Sequence, residues 1–98
     1  MLSFVIVTFN SEADIGGCLD SFHSTNQNRK FQAVVIDNAS MDETGRIAKE
    51  RKNGNFIFFS NEKNEGFTKA VNQGVEISGG AYIFILNPDT QLTEGSVE

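Results

Sequence analysis

The stretch from Ala81 to Thr90, AYIFILNPDT, constrains the fold more than any other part of this chain. Ala81 to Leu86 carry no charge and show no clean apolar–polar alternation, the pattern of a strand expected to be buried on both faces of a parallel sheet. Pro88 has no N–H to give a ladder and biases Asn87 away from helical angles. The strand is therefore expected to end there and to hold Asp89 at the carboxyl edge of the sheet. In open α/β sheets that edge is where ligands bind.

The segments before it alternate between strand and helix signals. Phe4 to Thr8 is β-branched and aromatic and is broken by Asn10-Ser11. Ser11 with Asp14 resembles a capping pattern, and Ile15, Cys18, Leu19 and Phe22 follow at helical spacing. After a polar link, Ala33 to Ile36 reads as a second strand closed by Asp37-Asn38. Ser40 with Glu43 is a second capping pattern, opening a helix from about Asp42 to Lys52 that Asn53-Gly54 stops. Phe56 to Ser60 is a third strand. Phe67, Ala70, Val71, Gly74 and Val75 repeat at helical spacing until Gly79-Gly80. The order βαβαβαβ predicts an α/β fold in three layers, a mainly parallel, Rossmann-like sheet with right-handed crossovers and helices on both faces. Leu92 to Glu98 reads as the opening of a further helix. The chain is thus expected to be the truncated first part of something longer.

Composition narrows the function. Ninety-eight residues are enough for one core that buries roughly two thirds of the unfolded surface. A net charge of −5 and a pI near 4.7 argue against a nucleic-acid partner, which would need clustered Lys and Arg. Arg46, Lys49, Arg51 and Lys52 fall near the end of the second helix, where they would complement its dipole. Cys18 is the only cysteine, lies in the apolar stripe and is expected to be core. No stretch approaches about twenty apolar residues and the start has no secretory pattern. No transmembrane segment is expected, and a cytoplasmic location, including the inner face of the membrane, is the expectation.

A parallel sheet brings its strand ends together. Thr8 and Asn10, then Asp37, Asn38 and Ser40, then Asn64, Glu65 and Gly66, and finally Asn87, Asp89 and Thr90 are all expected on one edge. Asn10, Ser11, Asn38 and Ser40 are also ordinary turn and cap residues. A carboxylate such as Asp37, directly after a buried strand, needs a partner. Gly66 reads equally as an entry turn and as a place where backbone amides meet an anion. FNSEADIGG after the first strand lacks both the Gly-x-Gly-x-x-Gly turn and a P-loop lysine, so phosphate would not lie in those cradles. The edge instead carries Asp37, Asp42, Glu43, Glu62, Glu65 and Asp89, with Lys63 and Lys69 nearby. A bare diphosphate would be repelled there. A divalent cation resolves the conflict, because Mg²⁺ takes one or two carboxylates, several waters and the substrate's phosphates. Asp89 is the expected protein ligand.

FVIVTFNSEADIGGCLDSF, VVIDNASMDETGRIAKE and NEGFTKAVNQGVEISGGAYIFILNPDT, in this order and spacing, resemble the N-terminal, nucleotide-binding half of a family 2 glycosyltransferase with the GT-A fold. The resemblance covers essentially all of residues 1–98 and leaves the acceptor-binding half outside the chain. It implies that Thr8, Phe9, Asn10 and Asp37 hold the donor's base and that Asn64, Gly66 and Phe67 lie near the donor nucleotide. Asn87 and Asp89 match the Asp-x-Asp motif, the first meeting the ribose and the second binding Mg²⁺ or Mn²⁺. Asn87 replaces that motif's first carboxylate. DNAS with NPDT is most similar to rhamnosyl and galactofuranosyl transferases of bacterial surface polysaccharides. The activity implied is inverting transfer from a UDP- or dTDP-linked sugar to a hydroxyl of a saccharide or lipid-linked acceptor, with the general base in the absent half and no turnover by this chain alone. The competing expectation is a non-catalytic α/β regulatory or assembly module. In either case a truncated sheet is expected to pair with itself as a homo-oligomer.

Overall fold

In the computed structural model, residues 2–25, 31–51, 56–78 and 82–89 are described. Their elements are β1 (Leu2–Thr8), α1 (Ile15–Thr25), β2 (Phe31–Asp37), α2 (Thr44–Glu50), β3 (Phe56–Ser60), α3 (Phe67–Ile77) and β4 (Tyr82–Leu86). All the pairings are parallel, and the strand order is β3-β2-β1-β4. The chain steps outward from β1 through β2 to β3, then returns across β1 to place β4 on its other side. This reversal creates a topological switch point between β1 and β4, with its crevice outside their carboxyl ends. The register aligns Thr8 with Asp37, Asp37 with Ser60, and Ile6 with Leu86.

Period two along the strands separates two cores. Phe4, Ile6, Phe31, Ala33, Val35 and Phe56 face α1 and α2, meeting Ile15, Cys18, Leu19, Phe22 and Ala48. Phe22 packs edge-on against Phe4 at 4.8 Å and stacks on Phe31 at 5.4 Å, so the α1 stripe is the core face expected from its spacing. On the other face Val7, Val34 and Ile36 meet Ala70 and Val71 of α3. A Cβ built on Gly74 would lie 2.4 Å from Cγ1 of Val5. Only glycine lets α3 approach β1 this closely.

Several local expectations are corrected. β4 is not buried on both faces: Tyr82, Ile83, Phe84 and Ile85 are 39–68% exposed, although Phe84 stacks on Phe4 at 5.4 Å. β4 is an edge strand among the described residues, and α3 lies over β1 and β2 rather than over it. An uncharged run shows that a strand can be buried; it does not supply the cover. Neither capping pattern forms. The Ser11 hydroxyl turns back to Phe9, and Ser40 engages Asp37, while Glu43 at the start of α2 makes no side-chain cap. Asp42 does that work, accepting from both the amide and the hydroxyl of Thr44. α2 is correspondingly shorter, Thr44–Glu50. Arg46 pairs with Glu43 and Glu50, and Arg51 forks onto Asp20 at 2.8 and 3.1 Å, so these cations bind carboxylates and not only a helix end. Asn53-Gly54, Gly79-Gly80 and the helix expected from Leu92 lie outside the described residues. No helix among the described residues is long and apolar enough to cross a membrane.

Candidate functional site

At the end of β1 the Thr8 hydroxyl, fully buried, donates to Asp37 Oδ1 at 2.6 Å. Asp37 is 3% exposed, and the Ser40 amide, at 3.0 Å, and the Ser40 hydroxyl also donate to it. These bonds are the partners that a carboxylate at the end of a buried strand requires. Three donors leave one of about four lone-pair positions open.

The loop after β1 is fixed to the loop after β2 by side chains capping backbone amides. Asn10 N donates to Ser40 Oγ at 2.8 Å, and Met41 N donates to Asn10 Oδ1 at 2.9 Å. Ser11 N donates to Thr44 Oγ1 at 2.7 Å and Glu12 N to Asp42 Oδ2 at 3.2 Å. Asn10 and Ala39 hold positive φ angles of 48° and 60° to make these contacts. Desolvation pushes the Asp42 carboxyl up, but the hydrogen bonds from Thr44 and Glu12 outweigh it and hold the group below its ordinary value. Phe9 and Met41 project from this double loop, 50% and 91% exposed.

Before α3, Asn64 Oδ1 accepts from Gly66 N at 2.8 Å in an Asx turn, and Gly66 sits at φ +86°. Nothing lies within 4 Å of a Cβ built on Gly66, so its backbone angle, and not crowding, requires glycine. The entry-turn reading is thereby satisfied, and the space beside it is open. Phe67 opens the helix and is exposed.

Beyond β4, Asn87 and Asp89 are exposed and make no hydrogen bond or ion pair among the described residues; Thr90 lies outside them. Asp89 lies close enough to α1 for its charge to add to the larger effect of burial on Cys18, whose thiol is pushed up to about 11. Of the expected acidic edge, Glu43 is paired with Arg46, Glu65 with Lys69, and Asp37 and Asp42 are internally bonded. Among the described residues, no three His, Cys, Asp or Glu side chains are grouped to enclose a metal. A single exposed carboxylate fits a cation held mainly by water and substrate phosphates, the usual manner of Mg²⁺, and does not fit a protein cage.

The family model for glycosyl transferase family 2 matches residues 3–98. The chain belongs to glycosyl transferase family 2. It is 31% identical over 96 residues to a PGL/p-HBAD biosynthesis glycosyltransferase of Mycobacterium bovis, covering 96% of this chain and 37% of that protein. It is 29% identical over 94 residues to the poly-beta-1,6-N-acetyl-D-glucosamine synthase of Staphylococcus epidermidis, covering 95% of this chain and 23% of that one. TarS 1-349 of S. aureus, solved in complex with UDP, superposes with a TM-score of 0.87 at 25% identity, over 98% of this chain and 29% of that one. The chain therefore spans a quarter to a third or so of these relatives' lengths, and the parallel α/β architecture is that of their GT-A domain.

Within this family 2 chain, Thr8, Phe9, Asn10 and Asp37 are gathered at the ends of β1 and β2, with Asn64, Gly66 and Phe67 at the entry to α3. Asn87 and Asp89 follow β4 on the other side of β1. The sequence reading placed Asn38 on this edge as a turn residue and missed its partner Asn61 and, through it, Gln73. Asn38, 2% exposed, accepts at Oδ1 from Asn61 Nδ2 at 2.9 Å and from Glu65 N at 3.3 Å, and donates from Nδ2 to Gly66 O at 3.1 Å. Asn61 and Gln73 exchange reciprocal bonds of 2.9 and 3.0 Å. A signal was present: Asn38 and Asn61 each directly follow a strand, and register makes Asp37 and Ser60 neighbours.

Proposed function

We propose that this chain supplies the donor-binding part of an inverting glycosyltransferase that moves a sugar from a nucleoside diphosphate to an acceptor hydroxyl, in surface polysaccharide synthesis on the cytoplasmic side of the membrane. One observation carries the reading. The switch point between β1 and β4 is flanked by a buried Thr8–Asp37 pair, with one acceptor position on Asp37 still open, on one side and by the exposed Asn87 and Asp89 on the other. A nucleotide can span such a crevice, with its base against β1 and β2 and its diphosphate towards β4.

Thr8 orients Asp37, whose open lone pair accepts from a base N–H. The exposed face of Phe9 offers a surface on which a planar base stacks. Asn10 holds the loop that carries Phe9, and Asn64, Gly66 and Phe67 form the wall beside the nucleotide. Asn87 hydrogen-bonds a ribose hydroxyl, and Asp89 would hold Mg²⁺ or Mn²⁺. When bound, that cation neutralises the leaving diphosphate. The saccharide or lipid-linked acceptor and the general base lie outside these residues, so the chain binds donor without turning it over. Measurable sugar transfer by residues 1–98 alone would overturn that last statement.

The alternative, a non-catalytic α/β module, is favoured by the internal bonding of Ser40, Asp42 and Thr44, which function as caps and ties. Amide NMR separates the two. Titration with UDP and with dTDP in Mg²⁺ is expected to shift Thr8 to Asn10, Asn64 to Phe67, and Asn87 and Asp89, with weaker binding when Mg²⁺ is removed or in Asp89→Ala. Spectra unmoved by either nucleotide at millimolar concentration would favour the module.

A further inference from the structure

We propose that Asn38 is a positioning residue for the donor nucleotide, its carboxamide latching the entry of α3 to the end of β2. This inference rests on the donor-site reading above. The orientation of the side chain follows from its partners: Glu65 N–H can only donate and Gly66 O can only accept, so Oδ1 must face the first and Nδ2 the second. Asn61 takes the second position on Oδ1 and passes the connection to Gln73 in the body of α3. Asn38 N, meanwhile, donates to Thr8 O at 2.8 Å. One residue therefore ties the end of β1, the loop Asn61–Gly66 and α3 together, immediately after Asp37.

The carbonyl that Asn38 holds is also the first acceptor of α3, since Ala70 N donates to Gly66 O at 3.2 Å. Fixing this carbonyl fixes where Asn64, Gly66 and Phe67 stand relative to Asp37. No carboxylate can substitute at neutral pH. It would keep the acceptor and lose the donor, leaving the Gly66 carbonyl facing a negative oxygen in a partly buried position. Asn38 itself is too enclosed and too fully bonded to touch a ligand, and so it acts through the loop.

Asn38→Asp, nearly isosteric, tests the latch in two measurements. Without nucleotide, amide exchange at Ala70, which bonds the carbonyl that Asn38 releases, should accelerate about tenfold or more, the effect of losing one partly buried hydrogen bond, while Phe4 to Val7 keep their protection. With UDP and Mg²⁺ at pH 7.5, the Kd should rise by about tenfold and recover as pH falls towards 5, because a protonated carboxyl regains a donor. Asp37 on β2, Glu62, Lys63 and Glu65 in the loop and Lys69 on α3 also face this region; the wild type carries all of them, and its own pH profile corrects for their titration. Unchanged exchange at Ala70 overturns the latch. Faster exchange with an unchanged UDP affinity overturns the positioning role alone. A wild type that binds neither UDP nor dTDP overturns the donor-site reading and the positioning role together, while the exchange data still judge the latch. Should Phe4 to Val7 lose protection as well, Gln73→Glu, which removes only the donation to Asn61, takes the place of the first variant and is expected to shift both measurements in the same direction.

Discussion

Cys18 shows how one residue's environment decides its chemistry. Burial in the α1 core, reinforced by the charge of Asp89, pushes its thiol from 9.0 to about 11, so it stays protonated at neutral pH and is a poor nucleophile. A raised acid binds its proton more tightly when folded. Its contribution to stability is complete below about 9 and disappears as pH rises through about 11. The urea midpoint should therefore fall more steeply across that window in the wild type than in Cys18→Ala, and parallel pH profiles would refute the shift. The core position of Cys18 was legible from its spacing with Ile15, Leu19 and Phe22. The influence of Asp89 was not, because it depends on a strand some seventy residues later in the chain returning beside α1.

At the level of elements, α3 is held by a close approach on its inner face and a polar latch at its entry. Gly74 permits the approach. Gly74→Ala places a methyl group against Val5, whose β-branched side chain has little freedom to move aside, and should cost about 1–3 kcal/mol by overpacking. Denaturant unfolding measures it; an alanine variant as stable as the wild type would show that α3 lifts without penalty. The helical spacing of Phe67, Ala70, Val71, Gly74 and Val75 identified α3, but only Ala70 and Gly74 of that set are buried. Spacing marks the face and packing decides how much of it is covered. The caps were less legible. Ser11 and Ser40 have the right residue types at the right intervals, yet the Ser40 amide and hydroxyl donate to Asp37, the hydroxyl also accepts from Asn10 N across the loops, and Asp42 does the capping. Cap patterns compete with any nearby tertiary acceptor, and a pattern match carries no information about that competition.

For the molecule as a whole, the outer edge of β4 is the feature from which an expectation about association follows. It presents four consecutive large apolar residues, no charge and no proline within the strand, and it pairs with no further described strand. Such an edge is self-complementary, and a second copy is the expected occupant. Light scattering should give a mass above that of one chain, reduced towards the monomer by Ile83→Lys; a wild type that is monomeric at high concentration overturns this. The order and type of the elements, the parallel direction of the strands and the convergence of Thr8, Asp37, Gly66 and Asp89 on one edge followed from the sequence alone. Period, breakers and βα alternation are local signals, and parallel strands have only one carboxyl edge. Only the tertiary structure decided that β4 stands at the rim with its sides open, that Thr8 and Ser40 are the partners that orient Asp37, and that Asn38 joins β2 to α3. These depend on which partner reaches each polar group first once distant segments are packed together, and spacing along a chain does not encode that.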